Sequence, residues 1–305
     1  MIIVGGEALV DLVVAPDGSL AAHHGGGPFN AARTMARLGA PAAYLGRLSG
    51  DRFGRTLRES LVADGVATDL VVATDDPTTL ALAELDPSGA ASYQFYIEHT
   101  SAPGLTVTDA LAVLARLPAR PFAVHVGTLG LVLEPMASAY QAVVAQLAGE
   151  ALIVVDANCR PVLIHDRDAY WTRMRSVLAD ADVVKVSDED LAFLSMCAGG
   201  GLTATGLLAF GPTVVLLTGG AAGSDVVTAA GVSHIDTPPT KVVDTIGAGD
   251  AFGGGFVAWW HEHGRQRADL ADRDALVAAA RFATVVASRT CERAGADPPH
   301  RHELD

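Results

Sequence analysis

Residues 152–186, LIVVDANCRPVLIHDRDAYWTRMRSVLADADVVKV, carry the pattern that decides the fold class. Two short, largely apolar runs at 152–155 and 183–186 flank a segment, 168–180, in which apolar residues recur three and four positions apart. Such runs are typical of strands covered on both faces, and the spacing between them is typical of a helix. The stretch therefore predicts two parallel strands joined by a helix in a right-handed crossover.

The same alternation continues on both sides of this unit. Apolar runs recur at 2–4, 122–126 and 213–217, and a second helix-period segment covers 134–148. Strands that alternate with helices along the chain build a sheet whose two faces are both covered. The predicted fold is therefore a doubly wound α/β domain with a mainly parallel sheet and helices on both faces.

A second kind of strand signal interrupts this alternation. Asp86-Pro-Ser-Gly-Ala90 separates two runs in the manner of a hairpin, and polar residues lie inside the runs. We expect a small, partly exposed sheet within a single domain, 1–305, because no linker or internal repeat divides the chain. The four runs of this sheet are 9–14, 20–24, 79–85 and 91–97.

Composition narrows the possible partners and the location. The 305 residues include 35 acidic and 21 basic ones, for a formal net charge of −14, so we expect no nucleic-acid partner. Glycines interrupt the longest uncharged stretch, 191–224, so we expect no membrane partner. No Lys or Arg precedes Arg33, and the three cysteines have neither disulfide-scaffold nor zinc spacing. These features favour a cytoplasmic location.

The sequence Asp244-Thr-Ile-Gly-Ala-Gly-Asp250 predicts an anion site. We expect a short strand at 241–243, a glycine-rich turn and a helix from about Ala248 to His261. The free N–H groups of a first helical turn bind anions together with the helix dipole. Asp250 in that turn could take a proton from a hydroxyl group during phosphoryl transfer. A second interpretation is equally open, in which Asp250 only caps the helix.

A second glycine-rich stretch, Gly25-Gly-Gly-Pro-Phe-Asn30, precedes a helix of small residues that ends at Gly39. Asn30 could exchange hydrogen bonds with a polyol, since an amide both donates and accepts. Alternatively, Asn30 caps the helix and touches no ligand, and the local sequence favours this interpretation.

These two stretches, near the two ends of the chain, resemble those of the ribokinase-like (PfkB) carbohydrate kinases. The chain is most similar to their fructokinase and 2-keto-3-deoxygluconate kinase branch, and the resemblance covers essentially its whole length. Further segments that resemble this branch are Gly5-Gly-Glu-Ala-Leu-Val-Asp11, Arg47-Leu-Ser-Gly-Asp51, His125-Val-Gly127, Asp156-Ala-Asn158-Cys-Arg160 and Leu217-Thr218-Gly-Gly220-Ala-Ala-Gly223.

The resemblance implies ATP-dependent phosphorylation of a sugar hydroxyl, on a hexose, ketose or sugar acid, with ATP and Mg²⁺ as cofactors. Asp250 would be the general base, and after Gly247 the N–H groups of Ala248, Gly249 and Asp250 would form an anion hole. The sugar-binding residues that the resemblance implies are Asp11, Gly25, Gly26, Asn30, Gly127, Asn158 and Arg160. The implied nucleotide-binding residues are Thr218, Gly220, Gly223 and Thr284.

Two metal contacts are implied in the same way. Ser187-Asp-Glu-Asp190 stands where the family often has N-x-x-E near the metal and phosphates, so Asp190 would contact Mg²⁺ through water. Asp244, with carbonyl groups near 244–246, would hold K⁺. Lys185 either reaches the nucleotide phosphates from its strand end or is solvated, and it is left out of the predicted site.

The small sheet, residues 9–24 and 75–98, would be a lid that closes over the sugar and excludes water, and it could also join a homodimer. Phe95-Tyr-Ile-Glu-His99 carries no arginine where fructokinase-like chains commonly have one, so the identity of the sugar stays open. Two other functions remain open. One is a nucleoside kinase of the same family, which the fructokinase-like opening segment disfavours. The other is a non-catalytic sugar-binding regulator, which the intact Gly247–Asp250 sequence disfavours.

Overall fold

The computed structural model describes residues 1–15, 17–85 and 91–304. No helix of this described part is long and apolar enough to cross a membrane. The hairpin connection predicted at 86–90 lies outside it. The described strands are β1 (Ile2–Gly5), β2 (Leu9–Val14), β3 (Leu20–Gly25), β4 (Ala42–Ser49), β5 (Val71–Thr74), β6 (Leu80–Leu85), β7 (Ala91–Tyr96), β8 (Ala123–Gly127), β9 (Leu152–Asp156), β10 (Val183–Ser187), β11 (Val214–Thr218), β12 (Ser224–Thr228) and β13 (Gly231–Ile235).

Nine strands form one large sheet in the order β13-β12-β11-β10-β9-β8-β1-β4-β5. The strands from β11 to β5 in this order are parallel, whereas β12 and β13 extend one edge in antiparallel pairing. Successive side chains of a strand point to opposite faces, and both faces are buried here. On β1, Ile3 packs into one core and Val4 into the other. The predicted mainly parallel α/β architecture is confirmed.

Helices cover both faces of the large sheet. Helices α1, α2, α8 and α9 pack on the face that contains Val4, and α3 to α7 pack on the face that contains Ile3. The helices are α1 (Gly27–Arg37), α2 (Arg52–Ala63), α3 (Val107–Leu114), α4 (Met136–Leu147), α5 (Arg167–Asp180), α6 (Asp188–Cys197), α7 (Ala204–Leu207), α8 (Ala248–Glu262) and α9 (Arg273–Cys291).

A separate small sheet contains the remaining strands in the order β3-β2-β6-β7. Strand β2 is antiparallel to β3 and parallel to β6, and Asp11 of β2 lies directly opposite His23 of β3. Leu20 at the start of β3 is exposed, whereas Ala81 of β6 is buried. The small, partly exposed sheet predicted from the four polar-interrupted runs is thus present.

One predicted strand is absent and four strands were missed. Residues 241–243 form no strand: the side chains of Val242 and Val243 are exposed, and the N–H group of Val243 donates to the carbonyl oxygen of Cys291 instead of to a sheet neighbour. Strands β4, β12 and β13 were missed because their sequences mix polar residues or glycine into short runs, and the four-residue strand β5 was missed as well. β-Propensity alone is weak where tertiary pairing decides the structure.

Helices α1 and α8 approach closely because small residues line their contact. A Cβ at Gly254 of α8 would lie 2.8 Å from the Cβ of Thr34 and 3.0 Å from the carbonyl oxygen of Ala31, both in α1. Since each helix also carries a predicted site residue, the distance between these helices controls the geometry of the site.

We expect Gly254→Val to lower the free energy of unfolding by about 1–3 kcal/mol, because the added atoms overfill the contact with Thr34. Urea unfolding followed by circular dichroism measures this change. Gly50→Val is the matched control: the nearest atom to a Cβ at Gly50 would be 3.7 Å away. Equal stability of both variants would contradict the tight α1–α8 contact.

Candidate active site

Helix α8 begins at Ala248, directly after Gly247, whose backbone is left-handed with a φ of 77°. A residue with a side chain adopts this conformation only with strain, which explains the glycine. The N–H group of Ala248 donates to the carbonyl oxygen of Thr245 at 3.2 Å, whereas those of Gly249 and Asp250 have no partner among the described residues. The helix start therefore offers two free N–H groups where the sequence predicted three.

The carboxylate of Asp250 does not cap α8, so the capping interpretation is wrong. Its Oδ2 accepts a hydrogen bond from Nδ2 of Asn30 at 2.9 Å, and its Oδ1 accepts one from Nδ2 of Asn158 at 3.4 Å. Burial raises the pKa of Asp250, while the Asn30 hydrogen bond and the charges of Lys185 and Arg160 lower it. The side chain therefore points toward α1 and the segment after β9.

Asn30 does not cap its helix either. Helix α1 starts at Gly27 after Gly26, and the N–H group of Asn30 donates to the carbonyl oxygen of Gly26. The amide Oδ1 of Asn30 is buried and has no partner in the described part of the chain. A buried acceptor without a donor costs free energy, so this oxygen is suited to receive a ligand hydroxyl or water.

Glycines bring the chain close to these polar groups. A Cβ at Gly25 would lie 2.1 Å from Oδ2 of Asp11, and a Cβ at Gly27 would lie 3.1 Å from Oδ1 of Asp250. Gly26 has a φ of 108°, which favours glycine. The backbone of 25–27 thus passes directly beside both carboxylates.

Asp11 extends from the small sheet and accepts no hydrogen bond from the described residues. Burial raises its pKa to about 6, an effect that the charges of His23 and Arg160 reduce. The guanidinium of Arg160 is held by the Oδ1 of Asn158 at 2.6 Å. Arg160 also lowers the pKa of Asp250, so these predicted sugar-binding side chains share one electrostatic environment.

Gly127, the last residue of β8, is close to the end of β9. A Cβ at Gly127 would lie 2.1 Å from the carbonyl oxygen of Asp156, so a side chain has no room there. Open parallel sheets place ligands at the carboxyl ends of their strands, and Gly127 and Asn158 both lie at that edge.

The four predicted nucleotide-binding residues line one cavity of about 510 Å³. Thr218 ends β11, Gly220 and Gly223 follow in the next turn, and Thr284 lies on α9. Ala248 and Gly249 also line this cavity, so the start of α8 borders both the cavity and the polar cluster around Asp250. Lining residues that the sequence did not predict include Ser224, Thr245, Phe252, Ser288 and Cys291.

Asp190 and Asp244, the two carboxylates that were predicted to contact metal ions, accept hydrogen bonds from backbone N–H groups. Oδ1 of Asp190 accepts from the N–H of Cys159 at 2.6 Å, and Oδ2 accepts from the N–H of Ser187 at 2.9 Å. Asp244 accepts from the N–H groups of Ile246 and Gly295. Within residues 1–15, 17–85 and 91–304, no three His, Cys, Asp or Glu side chains are grouped to hold a metal.

Lys185 was left out of the predicted site. The prediction that its side chain is solvated is wrong, whereas its reach to the nucleotide phosphates stays a prediction. Its side chain is buried, and its Nζ donates to both carboxylate oxygens of Asp156 at 3.1 Å. The available signal was a lysine inside an otherwise apolar run, Val183-Val-Lys-Val186. A charge inside a buried strand needs a partner, and the adjacent strand supplies it.

Glu7 is a second residue that sequence reasoning missed. Its Oε1 accepts from the N–H of Gly27 at 3.0 Å, and its Oε2 accepts from Oγ1 of Thr128 at 2.8 Å and from the N–H of Gly130 at 3.2 Å. Burial raises its pKa to about 7. Glu7 therefore ties the segment after β1 to the start of α1 and to the turn after β8.

Residues 1–302 match the pfkB family of carbohydrate kinases, and the chain belongs to that family. It is 33% identical over 262 residues to a fructokinase of Rhizobium leguminosarum bv. trifolii, a match that covers 85% of this chain and 79% of that protein. The family resemblance predicted from the two glycine-rich stretches is confirmed.

Solved structures agree with this assignment. A fructokinase from Xylella fastidiosa with bound ATP is similar with a TM-score of 0.88 and 28% identity, covering 99% of this chain and 97% of that one. An aminoimidazole riboside kinase from Salmonella enterica, complexed with aminoimidazole riboside and an ATP analogue, has a TM-score of 0.86 and 25% identity, covering 99% and 98%. The protein is an ATP-dependent carbohydrate kinase.

We expect Glu7→Gln to lower the free energy of unfolding by about 1–3 kcal/mol, because the amide NH₂ would face an N–H or O–H donor. Thermal or urea unfolding measures the loss. Glu59→Gln, at an exposed position of α2, is the control and should leave stability unchanged. Unchanged stability of the Glu7 variant would mean that the acceptor oxygen lost on substitution contributes nothing to stability.

Proposed function

We propose that the protein transfers the γ-phosphoryl group of ATP to a hydroxyl group of an uncharged hexose or ketose, with fructose as the first candidate. The observation that carries this proposal is the position of the Asp250 carboxylate, which Asn30 and Asn158 hold beside the free N–H groups of α8. The fructokinase among the relatives supports the choice of fructose.

In the proposed mechanism, Asp250 is the general base. Its carboxylate is not used to cap α8, so it can accept the proton of the attacking hydroxyl group. The free N–H groups of Gly249 and Asp250 stabilise charge on the transferring phosphoryl group, together with the positive end of the helix dipole. Because the pKa of Asp250 is raised, activity should fall as the pH drops through that pKa and the base becomes protonated.

The cavity lined by Thr218, Gly220, Gly223 and Thr284 is the proposed ATP site. Mg²⁺ bound to ATP neutralises phosphate charge, as phosphoryl transfer generally requires. Each oxygen of Asp190 already accepts one backbone hydrogen bond, which favours a contact with Mg²⁺ through water over direct coordination. For K⁺, carbonyl groups near 244–246 would be the main ligands, because the Asp244 carboxylate binds two N–H groups.

The charges around the proposed sugar site favour a neutral substrate over a sugar acid. Asp11 and Asp250 would both face the sugar, and their carboxylates repel a third one. Arg160 is the cation that acts on both, and its single positive charge stands against two negative ones. Asp11, Gly25, Gly26, Asn30, Gly127, Asn158 and Arg160 are the proposed sugar-binding residues.

The small sheet is the proposed lid, with Asp11 as its contact to the sugar. Closure of the lid would exclude water, which otherwise competes for the phosphoryl group. A homodimer formed through the exposed side of this sheet, and a cytoplasmic location, also remain proposals.

A nucleoside kinase is the second candidate, since the riboside kinase from Salmonella enterica is almost as similar in structure as the fructokinase. A coupled assay of ADP release with fructose, other hexoses, sugar acids and nucleosides separates the candidates. Turnover restricted to nucleosides would overturn the hexose proposal. Calorimetric binding of a sugar without any ADP release would favour a non-catalytic regulator.

Asp250→Asn should lower kcat by about 10²–10⁴-fold, because it removes the base. The fold should persist, since the unpartnered Oδ1 of Asn30 can accept a hydrogen bond from the new amide after an amide flip. Steady-state kinetics measures the loss, and calorimetry should show that ATP still binds. Asp225→Asn, on β12, is the control. A variant with wild-type kcat would exclude Asp250 as the base.

Asp11→Ala should lower kcat/KM for the sugar by roughly 10- to 150-fold, the equivalent of about 1.5–3 kcal/mol for a hydrogen bond to a charged group. The KM for ATP should be nearly unchanged, because Asp11 lies outside the nucleotide cavity. Asp236→Ala is the matched control, since its side chain is 99% exposed. Altered thermal stability with intact sugar kinetics would remove Asp11 from the site.

A further inference from the structure

Three polar side chains lie side by side in the core beneath α8. His125 of β8, Asp156 of β9 and Lys185 of β10 are at most 3% exposed. Lys185 lies opposite Asp156 in the strand register. His125 lies opposite Val154 of β9. Val154 is two residues before Asp156, so both side chains are on the same face of the sheet as that of His125. Val154 belongs to the core that also contains Phe252 of α8, so the row of three faces this helix.

The row contains one ion pair and one neutral ring. Lys185 Nζ donates to both oxygens of Asp156 at 3.1 Å. Burial lowers the pKa of His125 to about 4, so its ring is neutral near pH 7. Neither ring nitrogen of His125 has a hydrogen-bond partner in the described part of the chain. His125 therefore does not neutralise the field of the Lys185–Asp156 pair.

Stability alone does not explain a buried ion pair at this place. Removing two charges from water costs about as much as their attraction returns, and well-packed apolar residues are often equally stable there or more so. The neighbouring positions of β9 and β10, such as Val154 and Val183, are apolar. The pair therefore calls for a functional explanation, which its position under α8 supplies.

Two glycines of α8, four residues apart, bring the helix onto this row. A Cβ at Gly249 would lie 2.8 Å from Nζ of Lys185, and a Cβ at Gly253 would lie 3.1 Å from Nε2 of His125 and 3.9 Å from Oδ2 of Asp156. The ammonium therefore lies under the first turn of α8, and the carboxylate extends toward the next turn. Gly249 is also the residue whose free N–H group belongs to the proposed anion hole.

The pair is aligned with the dipole of α8. Its positive end is nearest the helix start, which is also the positive end of the helix dipole. The ion pair and helix α8 are thus two parallel dipoles side by side, and such dipoles repel each other. Their fields nevertheless add at the helix start, where the transferring phosphoryl group would lie. A fixed charge in a water-excluded site acts more strongly than the same charge in water.

We propose that the Lys185–Asp156 pair is an electrostatic positioning element for phosphoryl transfer, in which the ammonium behind Gly249 strengthens the anion hole at the start of α8. The proposal rests on the proposed function, because it assigns the start of α8 to the phosphoryl group. Lys185 acts through the helix start and does not contact the substrate.

The test is the double variant Lys185→Met/Asp156→Leu, which leaves the net charge unchanged, with steady-state kinetics for ATP and sugar and a thermal unfolding curve. We expect kcat to fall about tenfold, because the variant removes the field of the Lys185 ammonium at the anion hole. The effect is no larger, since the Asp156 carboxylate cancels part of that field in the wild-type protein. The KM for the sugar should change less than twofold and the Tm should stay equal or rise. Arg267→Met is the matched control, because it removes a cation paired with buried Asp182 away from the start of α8.

Several outcomes would overturn the proposal. One is a folded double variant with wild-type kcat. Another is a joint loss of Tm, kcat and affinity for both substrates, or a failure to fold, since the pair would then be structural. An equal drop of kcat in Arg267→Met would show that any lost ion pair has this effect. If the wild-type protein releases no ADP with any sugar or nucleoside, the proposed function fails instead, which the same assay reveals first.

Discussion

The contact between α1 and α8 is the constraint on which the site depends. It joins residues about 220 positions apart, Asn30 and Asp250, through one buried hydrogen bond of 2.9 Å. Gly254 lets the two helices approach closely, and Gly27 leaves room beside the Asp250 carboxylate. A carboxylate held in this way keeps a fixed direction, which a flexible side chain would lose. The glycines of both helices are therefore requirements of the site as much as of packing.

The sequence predicted five of the nine strands of the large sheet, β1, β8, β9, β10 and β11, because strands buried on both faces form short, continuous apolar runs. The small sheet was predicted from different signals, namely polar residues inside its runs and a turn sequence between two of them. The helix start at Ala248 was also predicted, from the glycines that precede it. What failed was the strand at 241–243, where Val242 and Val243 are exposed although their sequence is typical of a strand.

The roles of Asp250 and Asn30 could not be decided from local sequence, and the physical reason is the same for both. An Asp or Asn near a helix start can bond to its own backbone or to a distant side chain, and only the tertiary structure chooses. Here the N-cap residue of each helix is a glycine, Gly26 for α1 and Gly247 for α8, and neither Asn30 nor Asp250 acts as a cap. Lys185 was misjudged because its partner, Asp156, lies 29 positions earlier and meets it only through strand register.

Burial raises the pKa values of two carboxylates at or beside the proposed sugar site. The pKa is raised to about 6 for Asp11 and to about 7 for Glu7. A carboxylate with a raised pKa in the folded state favours folding at low pH, and this contribution is lost as the pH rises from its unfolded value, about 4, through the folded value. Near pH 7 these two buried carboxylates therefore carry an electrostatic cost. Hydroxyl groups that donate to Asp11 would reduce that cost, so part of the sugar's binding free energy would come from hydrogen bonds to this buried carboxylate.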